Sequence, residues 1–355
     1  MGIGNSVFYP PGGRRLEIPD SELGTQDRFM LRDSYNRPIT DLRVSVTNRC
    51  NFRCVYCRSA QGDNGFEDNG ILEWEELERL CRIFLGFGIR KIRVTGGEPL
   101  VRRGVLDFIF RLSRMGVQDL SMTTNGHLLG QHAGELRAAG LHRINISLDS
   151  IKPEKFARIT RTDSFSKVMA GIEAAQRAGL KPVKVNAVIV RGLNDDEIED
   201  FGQFAREHDV TMRFIEFMPL DADHKWQRKL VVTADEILER LRRRWELVPL
   251  DRDHASDTAL KFRFADGPGE IGLVASVSKP FCGFCSRIRL TADGKIRTCL
   301  FSMLDHDVKS WLRDGRSDEA IAEYIVGLVS RKEAGHRINE PDFKPPSRTM
   351  VYIGG

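Results

Sequence analysis

The sequence alternates short apolar runs with amphipathic runs of helical spacing over residues 41–218. Six of the apolar runs predict strands: DLRVSV, KIRVT, DLSMTT, RINISLD, VKVNAVIV and TMRFIEFM. Runs between them, such as EWEELERLCRIFLGF, place apolar side chains three and four residues apart, which predicts helices. Strands that alternate with helices form parallel β/α units with right-handed crossovers. A chain with this pattern is therefore expected to build one α/β unit around a parallel sheet.

The polarity of the strands separates two architectures, a doubly wound sheet and a partial barrel. Strands covered on both faces are apolar throughout, but here polar side chains recur at every second position. They are Arg43, Ser45 and Thr47; Arg93 and Thr95; Thr123 and Asn125; Asn145, Ser147 and Asp149; and Lys184 and Asn186. Such a set needs a wet or ligand-filled interior. We therefore expect a partial (β/α)6 barrel of the TIM type with these side chains inside.

After residue 218 the pattern changes to a helix, short strands and a cysteine-rich hairpin. We expect three parts: an N-terminal arm at 1–37, a barrel core at 38–220 and a C-terminal extension at 221–355. The net charge of +4 gives no global basic field, so nucleic acid is not an expected partner. Long apolar runs and the apolar stretch of a signal peptide are missing, so we expect a cytoplasmic protein with no membrane partner.

Six of the seven cysteines form two triplets. The first triplet is Cys50, Cys54 and Cys57, spaced C-x3-C-x2-C, and the second is Cys282, Cys285 and Cys299, spaced C-x2-C-x13-C. Clustered cysteines in a reducing cytosol bind metal more often than they form disulfides. The remaining cysteine, Cys81, lies on the apolar stripe of a predicted helix and is expected to pack in the core.

Three thiolates close together suit a [4Fe–4S] cluster that keeps one iron free for another molecule. The alternative for each triplet is a zinc site with a distant fourth ligand, such as His127 for the first and His306 for the second. Inside the second triplet, Arg287 and Arg289 share one face of a short strand. Two guanidinium groups beside a metal centre repel one another unless an anion lies between them, and arginine suits phosphate because its planar fork binds two oxygens.

The surroundings of the first triplet resemble the signature of the radical S-adenosylmethionine (SAM) superfamily. CNFRCVYC contains the cysteines, TGGEPLVRR and TTNG follow the second and third strands, and INISLDS lies in the fourth. The resemblance implies that the first triplet holds a [4Fe–4S] cluster whose open iron binds SAM, and that cleavage of SAM gives a 5′-deoxyadenosyl radical. Because glycine has no Cβ, Gly96 and Gly97 would let the backbone approach that ligand closely.

From residue 38 to residue 355, the layout resembles one radical SAM family in particular, the GTP 3′,8-cyclases, also called molybdenum cofactor biosynthesis protein A. Matching stretches include RPITDLRVSVTNRCNFRCVYC, KVNAVI, RFIEFMP and FCGFCSRIRLTADGKIRTCLF, and the chain ends in two glycines as members do. The resemblance implies a lyase of molybdenum cofactor biosynthesis that converts GTP to (8S)-3′,8-cyclo-7,8-dihydro-GTP. It also implies a second [4Fe–4S] cluster, on the second triplet, whose open iron binds GTP.

The resemblance assigns site residues position by position. Tyr56, Gly97, Ser147 and Met218 match SAM-contacting positions. GTP-contacting positions are matched by Arg43, Arg93, Thr123, Lys184, Arg213, Arg287, Ile288 and Arg289. Catalytic roles, either on the reactants or in shaping and closing the site, are implied for Arg287, Arg289, Gly354 and Gly355. A frayed chain end is the alternative for the two glycines.

Three of the assigned cations also stand out from the pattern alone. Arg43, Arg93 and Lys184 lie on strands predicted to be buried, and an unpaired buried charge is very costly. A triphosphate would compensate all three charges. Pairing with internal carboxylates such as Asp149 or Glu216 is the alternative.

The partners implied by the resemblance are GTP, an external electron donor, a second copy of the chain in a homodimer, and a cyclic pyranopterin monophosphate synthase that takes the product. The chain departs from many members at Arg58-Ser59, where they have Met-Pro, and at Asn48, where they have Asp. Neither position ligates a cluster. Two other classes stay open from the residues: a peptide-modifying radical SAM maturase with an auxiliary cluster, and a zinc-dependent binding protein.

Overall fold

The structure is a computed structural model that describes residues 30–59 and 70–354. Residues 1–29, 60–69 and 355 lie outside the described residues. Most of the predicted N-terminal arm and the predicted site residue Gly355 are therefore not covered. The described end of the arm packs against the barrel, where the Leu31 N–H donates to the Phe87 carbonyl at 3.1 Å.

One sheet of twelve strands organises the described residues. The strands are β1 (Asp41–Ser45), β2 (Lys91–Thr95), β3 (Asp119–Thr124), β4 (Arg143–Ser147), β5 (Val183–Ile189), β6 (Thr211–Glu216), β7 (Leu247–Leu250), β8 (Leu260–Phe264), β9 (Glu270–Val274), β10 (Arg287–Leu290), β11 (Lys295–Arg297) and β12 (His306–Asp307). β1 to β6 are adjacent in chain order and parallel to one another. All six predicted strands are present, and their ends agree to within about two residues.

Ten α-helices surround this sheet in the described part of the chain. They are α1 (Trp74–Gly86), α2 (Val105–Arg114), α3 (Leu129–Ala138), α4 (Pro153–Thr160), α5 (Phe165–Arg177), α6 (Ile198–Glu207), α7 (Ala234–Arg242), α8 (Lys309–Arg313), α9 (Asp318–Val329) and α10 (Met350–Ile353). α1 begins with a capping box between Glu73 and Glu76 and buries Leu77, Leu80 and Cys81. The core position predicted for Cys81 is confirmed. None of the described helices has the length and apolar character to cross a bilayer.

The sheet forms a partial barrel that the C-terminal part extends on both sides. β10 pairs parallel with β1, and β9 pairs parallel with β6. The antiparallel additions end in β12 on one side and β7 on the other, which are the two edges of the sheet. The predicted partial barrel with a C-terminal extension is confirmed. The sheet runs continuously past residue 220, and the predicted division into parts at that position stays a prediction.

Alternate residues of each strand face the helices or the barrel interior. Leu42 and Val44 of β1 are fully or almost fully buried in the core that the helices cover. Between them, Arg43 lies opposite Arg93 of β2 on one side and Arg289 of β10 on the other. The register therefore aligns three inward arginines on neighbouring strands, as the period-two pattern predicts for β1 and β2.

Candidate active site

Two cavities lie inside the barrel, one at each end of the parallel strands. The cysteine cavity, of about 320 Å³, is lined at the carboxyl ends of the strands by residues such as Thr95, Ser147 and Glu216. The polar cavity, of about 940 Å³, is lined at the amino ends by residues such as Asp41 and Thr211. The two cavities share five lining residues, and four of these are arginines. They are Arg43, Arg93, Arg213, Thr258 and Arg287.

Most of the predicted site residues line the cysteine cavity. They are Arg43, Cys50, Cys54, Tyr56, Cys57, Arg93, Gly97, Thr123, Ser147, Arg213, Met218, Cys282, Cys285, Arg287, Arg289 and Cys299. Lys184 lines the polar cavity instead. The side chain of Ile288 is buried in the core, on the strand face opposite to the two arginines, so only its backbone is left for a ligand. Gly354 reaches the site through a hydrogen bond to Arg289.

The loop after β1 contains the first triplet, and neighbouring elements fix its shape. Within the loop, the Cys57 N–H donates to the Cys54 carbonyl at 2.9 Å. The N–H groups of Arg53 and Val55 donate to carbonyls near the end of α4, at 3.1 and 3.0 Å. From the loop after β3, Asn125 Nδ2 donates to Cys50 Sγ at 3.7 Å. The positions of the three thiols thus depend on β1, β3 and α4 together.

Gly96 and Gly97 line the cysteine cavity, and the structure shows a further reason for glycine at both positions besides the expected approach to a ligand. A Cβ on Gly97 would lie 2.3 Å from the Arg49 carbonyl oxygen, and one on Gly96 would lie 2.5 Å from that of Thr47. The Gly97 N–H also donates to the Thr47 carbonyl at 2.7 Å. The close approach is therefore to the backbone that leads into the first triplet. Any side chain here would push that loop away from β2.

The arrangement of the cysteines bears on whether each triplet suits a zinc site or a [4Fe–4S] cluster. All six triplet cysteines are free thiols, and all six line the cysteine cavity. Among the described residues, no three Cys, His, Asp or Glu side chains converge tightly enough to hold a single metal ion. Zinc needs its ligands about 2.0–2.3 Å from one centre. A [4Fe–4S] cluster takes each thiolate on a different iron, so its three sulfurs need not converge on one centre.

The histidines of the zinc alternative are also engaged elsewhere. His127 Nδ1 lies 2.8 Å from Ser164 Oγ, and its ring packs edge-on against Phe52 with centroids 6.0 Å apart. His306 lies in β12 and pairs with Ile296 of β11. Neither histidine lines the cysteine cavity. A distant fourth ligand of the kind that zinc would need is therefore not supplied by these two residues.

The first triplet is largely buried, and acidic side chains lie near it. Burial raises the pKa of Cys57 to about 12, and burial together with the charge of Asp149 raises the pKa of Cys54. Burial also raises the pKa of Asp149 to about 6 and the pKa of Glu98 to about 7. Such surroundings disfavour further negative charge and favour ligands that bring positive charge.

Tyr56 and Asp149 join the two sides of the cavity beside the first triplet. Tyr56 Oη donates to Asp149 Oδ2 at 2.5 Å, and the Val188 N–H donates to Asp149 Oδ1 at 2.9 Å. Burial, with the neighbouring charge of Asp149, raises the pKa of Tyr56 well above its usual value, so the phenol keeps its proton. The bond links the cysteine loop to the ends of β4 and β5.

Cations surround the second triplet. Arg287 Nη2 donates to Cys285 Sγ at 3.4 Å, and its guanidinium lies over the Phe281 ring, 4.9 Å from the centroid. Although burial by itself raises the pKa of Cys285, the charges of Arg287 and Lys332 lower that pKa to about 6. Burial, helped by the charge of Arg287, lowers the pKa of Arg289 to about 9. Burial raises the pKa of Cys299, so the lowered pKa belongs to Cys285 beside Arg287, and the cations at this end favour anionic ligands.

The chain end folds back onto these cations. Arg289 Nη1 donates to the Gly354 carbonyl at 2.6 Å. Gly354 has a φ of +86°, and a Cβ there would come within 2.9 Å of Ser45 Cβ. A side chain at this position would therefore be both strained and crowded. The tail is packed at the described position Gly354, and a frayed end is not what the structure has there.

The strand cations have their pKa values lowered by burial and by one another. Burial, followed by the charge of Arg213, lowers the pKa of Lys184 to about 7. Burial lowers the pKa of Arg93 to about 10 and that of Arg213 to about 9. Burial and the charge of Arg289 also lower the pKa of Arg43 well below its usual range. A polyanion between these groups would relieve the desolvation and repulsion.

The two carboxylates considered as internal partners of these cations are committed elsewhere. Asp149 accepts from Tyr56 and from the Val188 N–H. Glu216 accepts from the N–H groups of Ala234, Val277 and Ser278, at 2.8, 2.7 and 2.8 Å. Glu216 thus ties the end of β6 to the start of α7 and to the segment after β9.

Sequence reasoning placed Asp149 inside the barrel with Ser147 but gave it no role in the site beyond that of a possible partner of strand cations. It missed two other residues that line the cavities, Thr258 and His336. Thr258 accepts from Arg213 Nη2 at 2.8 Å, and its loop has no pattern that marks it. His336 lines the cysteine cavity with its ring 5.1 Å from that of Phe301, and it lies outside every motif.

Two sequence profiles match the chain. The profile of the Radical SAM superfamily matches residues 44–205. The profile described as Molybdenum Cofactor Synthesis C matches residues 210–338. The first profile covers the end of β1, the strands β2 to β5 and the first triplet, and the second covers β6, most of the extension and the second triplet.

Several relatives cover nearly the whole chain. The GTP 3′,8-cyclase of Rhodopirellula baltica is 44% identical over 334 residues, which are 93% of this chain and 93% of that protein. The GTP 3′,8-cyclase of Streptomyces coelicolor is 44% identical over 329 residues, 92% of this chain and 96% of that protein. The GTP 3′,8-cyclase of Mycolicibacterium smegmatis is 46% identical over 333 residues, 92% of each.

A solved structure shares the fold at low sequence identity. SuiB of Streptococcus suis, bound to S-adenosylmethionine, superposes with a TM-score of 0.58 and 14% identity. The match covers 89% of this chain and 77% of that one. At this identity the similarity concerns the fold alone.

Proposed function

The chain belongs to the GTP 3′,8-cyclase family of radical SAM enzymes, which act in molybdenum cofactor biosynthesis, and we propose from this premise how its residues divide the reaction. A radical SAM enzyme uses SAM and a [4Fe–4S] cluster. The finer proposal is that each cysteine triplet holds one [4Fe–4S] cluster and that GTP reacts between them. The observation that supports it is that both triplets line one cavity. Four arginines lie where this cavity meets the polar cavity: Arg43, Arg93, Arg213 and Arg287.

We assign Cys50, Cys54 and Cys57 to the cluster that serves SAM, and Cys282, Cys285 and Cys299 to the cluster that serves GTP. When bound, these clusters supply the electron for reductive cleavage of SAM and an open iron for each reactant. Around the first triplet, Tyr56, Gly97, Ser147 and Met218 form the SAM wall. The carboxylate of Asp149, which lines the cavity at this end, favours the positive charge of a sulfonium.

GTP is proposed to span the two cavities. Arg43, Arg93, Lys184 and Arg213 would hold the triphosphate, because their buried charges gain a polyanionic partner. Thr123 would add a hydrogen bond from β3. Arg287 and Arg289 would hold the guanine end beside the second triplet, with the backbone of Ile288 between them. Such fixed positions place the ribose next to SAM, which is the orientation that a reaction between the two needs.

The reaction then follows from that orientation. The hydrogen atom on C3′ of GTP is transferred to the C5′ position of the deoxyadenosyl group, which leaves as 5′-deoxyadenosine. C3′ forms a bond to C8 of guanine, and one further electron and one proton complete (8S)-3′,8-cyclo-7,8-dihydro-GTP. Arg287 and Arg289 are the cations placed to stabilise negative charge on the base during this last step. Gly354, held by Arg289, and Gly355, outside the described residues, would close the cavity.

Anaerobic turnover tests the proposal. The reconstituted chain is incubated with dithionite, SAM and GTP deuterated at C3′, and 5′-deoxyadenosine is analysed by mass spectrometry. We expect about eight irons per chain, GTP-dependent formation of 5′-deoxyadenosine, and deuterium in that product. A colourless protein, or deoxyadenosine that forms equally without GTP, would contradict the proposal. ATP in place of GTP serves as the control for base recognition.

Partners and location are also proposals. A homodimer, a cyclic pyranopterin monophosphate synthase that receives the product, and an external electron donor follow from family membership. A cytoplasmic location fits the need of both triplets for reduced thiols. Size-exclusion chromatography with light scattering at several protein concentrations would test the dimer, since a monomeric mass at all of them would exclude it.

A further inference from the structure

Lys332 is a buried cation behind the second triplet. Lys332 is only 4% exposed, and its ammonium donates to the Arg287 carbonyl at 3.0 Å and to the Thr298 carbonyl. The Arg287 carbonyl lies two residues after Cys285, and Thr298 directly precedes Cys299. One ammonium therefore bridges the two backbone segments that carry these cysteines.

The segment around Lys332 is itself fixed against the third cysteine. Arg37 donates to the carbonyls of Cys282, Ala334 and Glu333, at 2.8, 2.6 and 2.6 Å. A Cβ on Gly335 would lie 2.9 Å from Cys282 Cβ. Residues 332–335 thus pack directly behind the whole second triplet, and the position of the ammonium is set by the backbone on both sides.

The two carbonyl acceptors satisfy hydrogen bonds of the ammonium but bring no compensating charge. The carboxylate of Glu333 brings an opposite charge nearby, and its Oε2 accepts from Thr298 Oγ1 at 2.7 Å. Arg287, on the other side, is a like charge. A buried lysine ion needs an anion to be stable. Three thiolates around a [4Fe–4S] core carry net negative charge, and more of it after reduction.

We propose that Lys332 is a positioning residue for the second cluster. Its ammonium bridges the segments of Cys285 and Cys299, and its positive charge raises the reduction potential of the cluster. The inference rests on the proposed function, because it takes the second triplet to hold a cluster. A positive charge at short range stabilises the more negative, reduced state. Reduction adds one electron, which dithionite supplies in the test below, and no bond is made or broken.

The test uses the full-length chain, reconstituted with iron and sulfide, with Cys50, Cys54 and Cys57 replaced by Ala so that only the second triplet can hold a cluster. In this background we compare Lys332→Met, Lys332→Gln and Lys332→Arg. Iron per chain is counted, and the cluster is titrated with dithionite while its EPR signal is followed. Lys309→Met is the matched control, because Lys309 also donates to a backbone carbonyl, that of Gly70 at 2.8 Å, and lines neither cavity.

We expect about four irons per chain in the background itself. In the methionine and glutamine variants, the ratio of reduced to oxidised cluster at a fixed potential falls about tenfold, a shift of about 59 mV for a one-electron couple. The arginine variant and the Lys309 control keep the unmodified potential. Iron loss from the two neutral variants alone, with full iron in the arginine variant, also supports a charged bridge.

Two outcomes overturn the inference in distinguishable ways. If the background with intact Lys332 holds no iron, the proposed second cluster is wrong, and the role of Lys332 falls with it. If the background holds its iron but the neutral variants show an unchanged potential, only the role of Lys332 is wrong. Equal loss of iron from all three variants, the arginine variant included, also contradicts a role for the charge.

Discussion

The two cysteine triplets have equal numbers of thiols but opposite electrostatic surroundings. Beside the first triplet lie the buried carboxylates Glu98 and Asp149, and the pKa values of its thiols are raised, mainly by burial. Around the second triplet lie Arg287 and Lys332, whose charges lower the pKa of Cys285 to about 6 despite burial. Cysteine spacing alone therefore predicts the same type of centre for both triplets, whereas the charges around the two triplets differ.

The chemistry of the two reactants matches this difference. SAM brings a positive sulfonium, and GTP brings several negative charges. A cavity with carboxylates at one end and guanidinium groups at the other would orient the two reactants in the way we propose. Arg58 is the exception at the first triplet, because its charge opposes the effect of burial on the pKa of Cys57. The predictions below separate the two ends, from the largest expected effect to the smallest.

The largest effect is expected from removal of one thiol at either end. Cys54→Ala and Cys285→Ala should each lose about half of the iron, since one cluster of two is lost, and cyclase turnover should fall below detection. Cys54→Ala should also abolish SAM cleavage, whereas Cys285→Ala should still bind SAM.

Iron and acid-labile sulfide per chain, together with product analysis, measure these losses. Cys81→Ala is the control, because Cys81 is buried in the core. Unchanged iron in Cys285→Ala would contradict two clusters.

The next effect concerns the cation that holds the chain end. Arg289→Ala should lower kcat about 100- to 1,000-fold, because a charge placed to stabilise the transition state is lost. Deletion of Gly354 and Gly355 should have a similar effect, and the combination should add little, since the two act through one contact. Initial rates measure this, with Arg82→Ala on α1 as the control, because Arg82 is exposed and lines neither cavity. Fully additive losses would show that the tail acts without Arg289.

A smaller effect is expected from pH through Lys184. Its pKa is about 7 in the free protein, chiefly because of burial, and a bound triphosphate would raise it. Below pH 7 the lysine is charged in both states, so this group adds no pH dependence there. Above pH 7 binding must take up a proton, and GTP affinity should fall up to about tenfold per pH unit. Isothermal titration at pH 6.5 to 8.5 measures the slope.

Lys184→Met provides the comparison for that slope, because the triphosphate also titrates in this range. The variant should bind GTP more weakly at pH 6.5 and should lack the additional loss of affinity above pH 7. Identical slopes in the two proteins would contradict the role of Lys184. SAM affinity should show no such difference, since we propose that SAM binds at the other end of the cavity.

The smallest effect is expected from the hydrogen bond beside the first triplet. Tyr56→Phe leaves Asp149 without one of its two donors, and SAM affinity should fall about tenfold or less, while GTP affinity stays unchanged. Equilibrium binding of each ligand measures this. Tyr324→Phe is the control, because Tyr324 stacks on Trp311 with centroids 4.4 Å apart and lines neither cavity. An equal loss of affinity for both ligands would mean that the bond supports the fold in general.

Much of the fold was predictable because its signals are local. Period-two polarity identified the inward faces of the strands, and the six strands and the core position of Cys81 are confirmed. The crowding around Gly96 and Gly97 was not predictable. Their crowding comes from the backbone at residues 47–49, on a different strand end, and no pattern around the glycines encodes that neighbour.

For the site, the sequence supplied the cysteines and the strand arginines but not their surroundings. Asp149 was visible only as a polar residue in a set, and its bond to Tyr56 requires β4 and the cysteine loop to meet. Lys332 lies in the unremarkable stretch SRKEAGH, and its importance depends on two carbonyls contributed by residues far away in the chain. Hydrogen bonds between segments distant in the chain leave little trace in either segment alone.

By itself, the sequence determined the partial barrel and the inward position of the cations, and it predicted the type of metal centre for each triplet. Spacing and periodicity decide these because they act over a few residues of one strand or loop. Only the tertiary structure decided that both triplets face one cavity, that carboxylates lie at one end and cations at the other, and that the chain end binds Arg289. The physical reason is that electrostatic free energy depends on distance and burial in space, and the fold sets both.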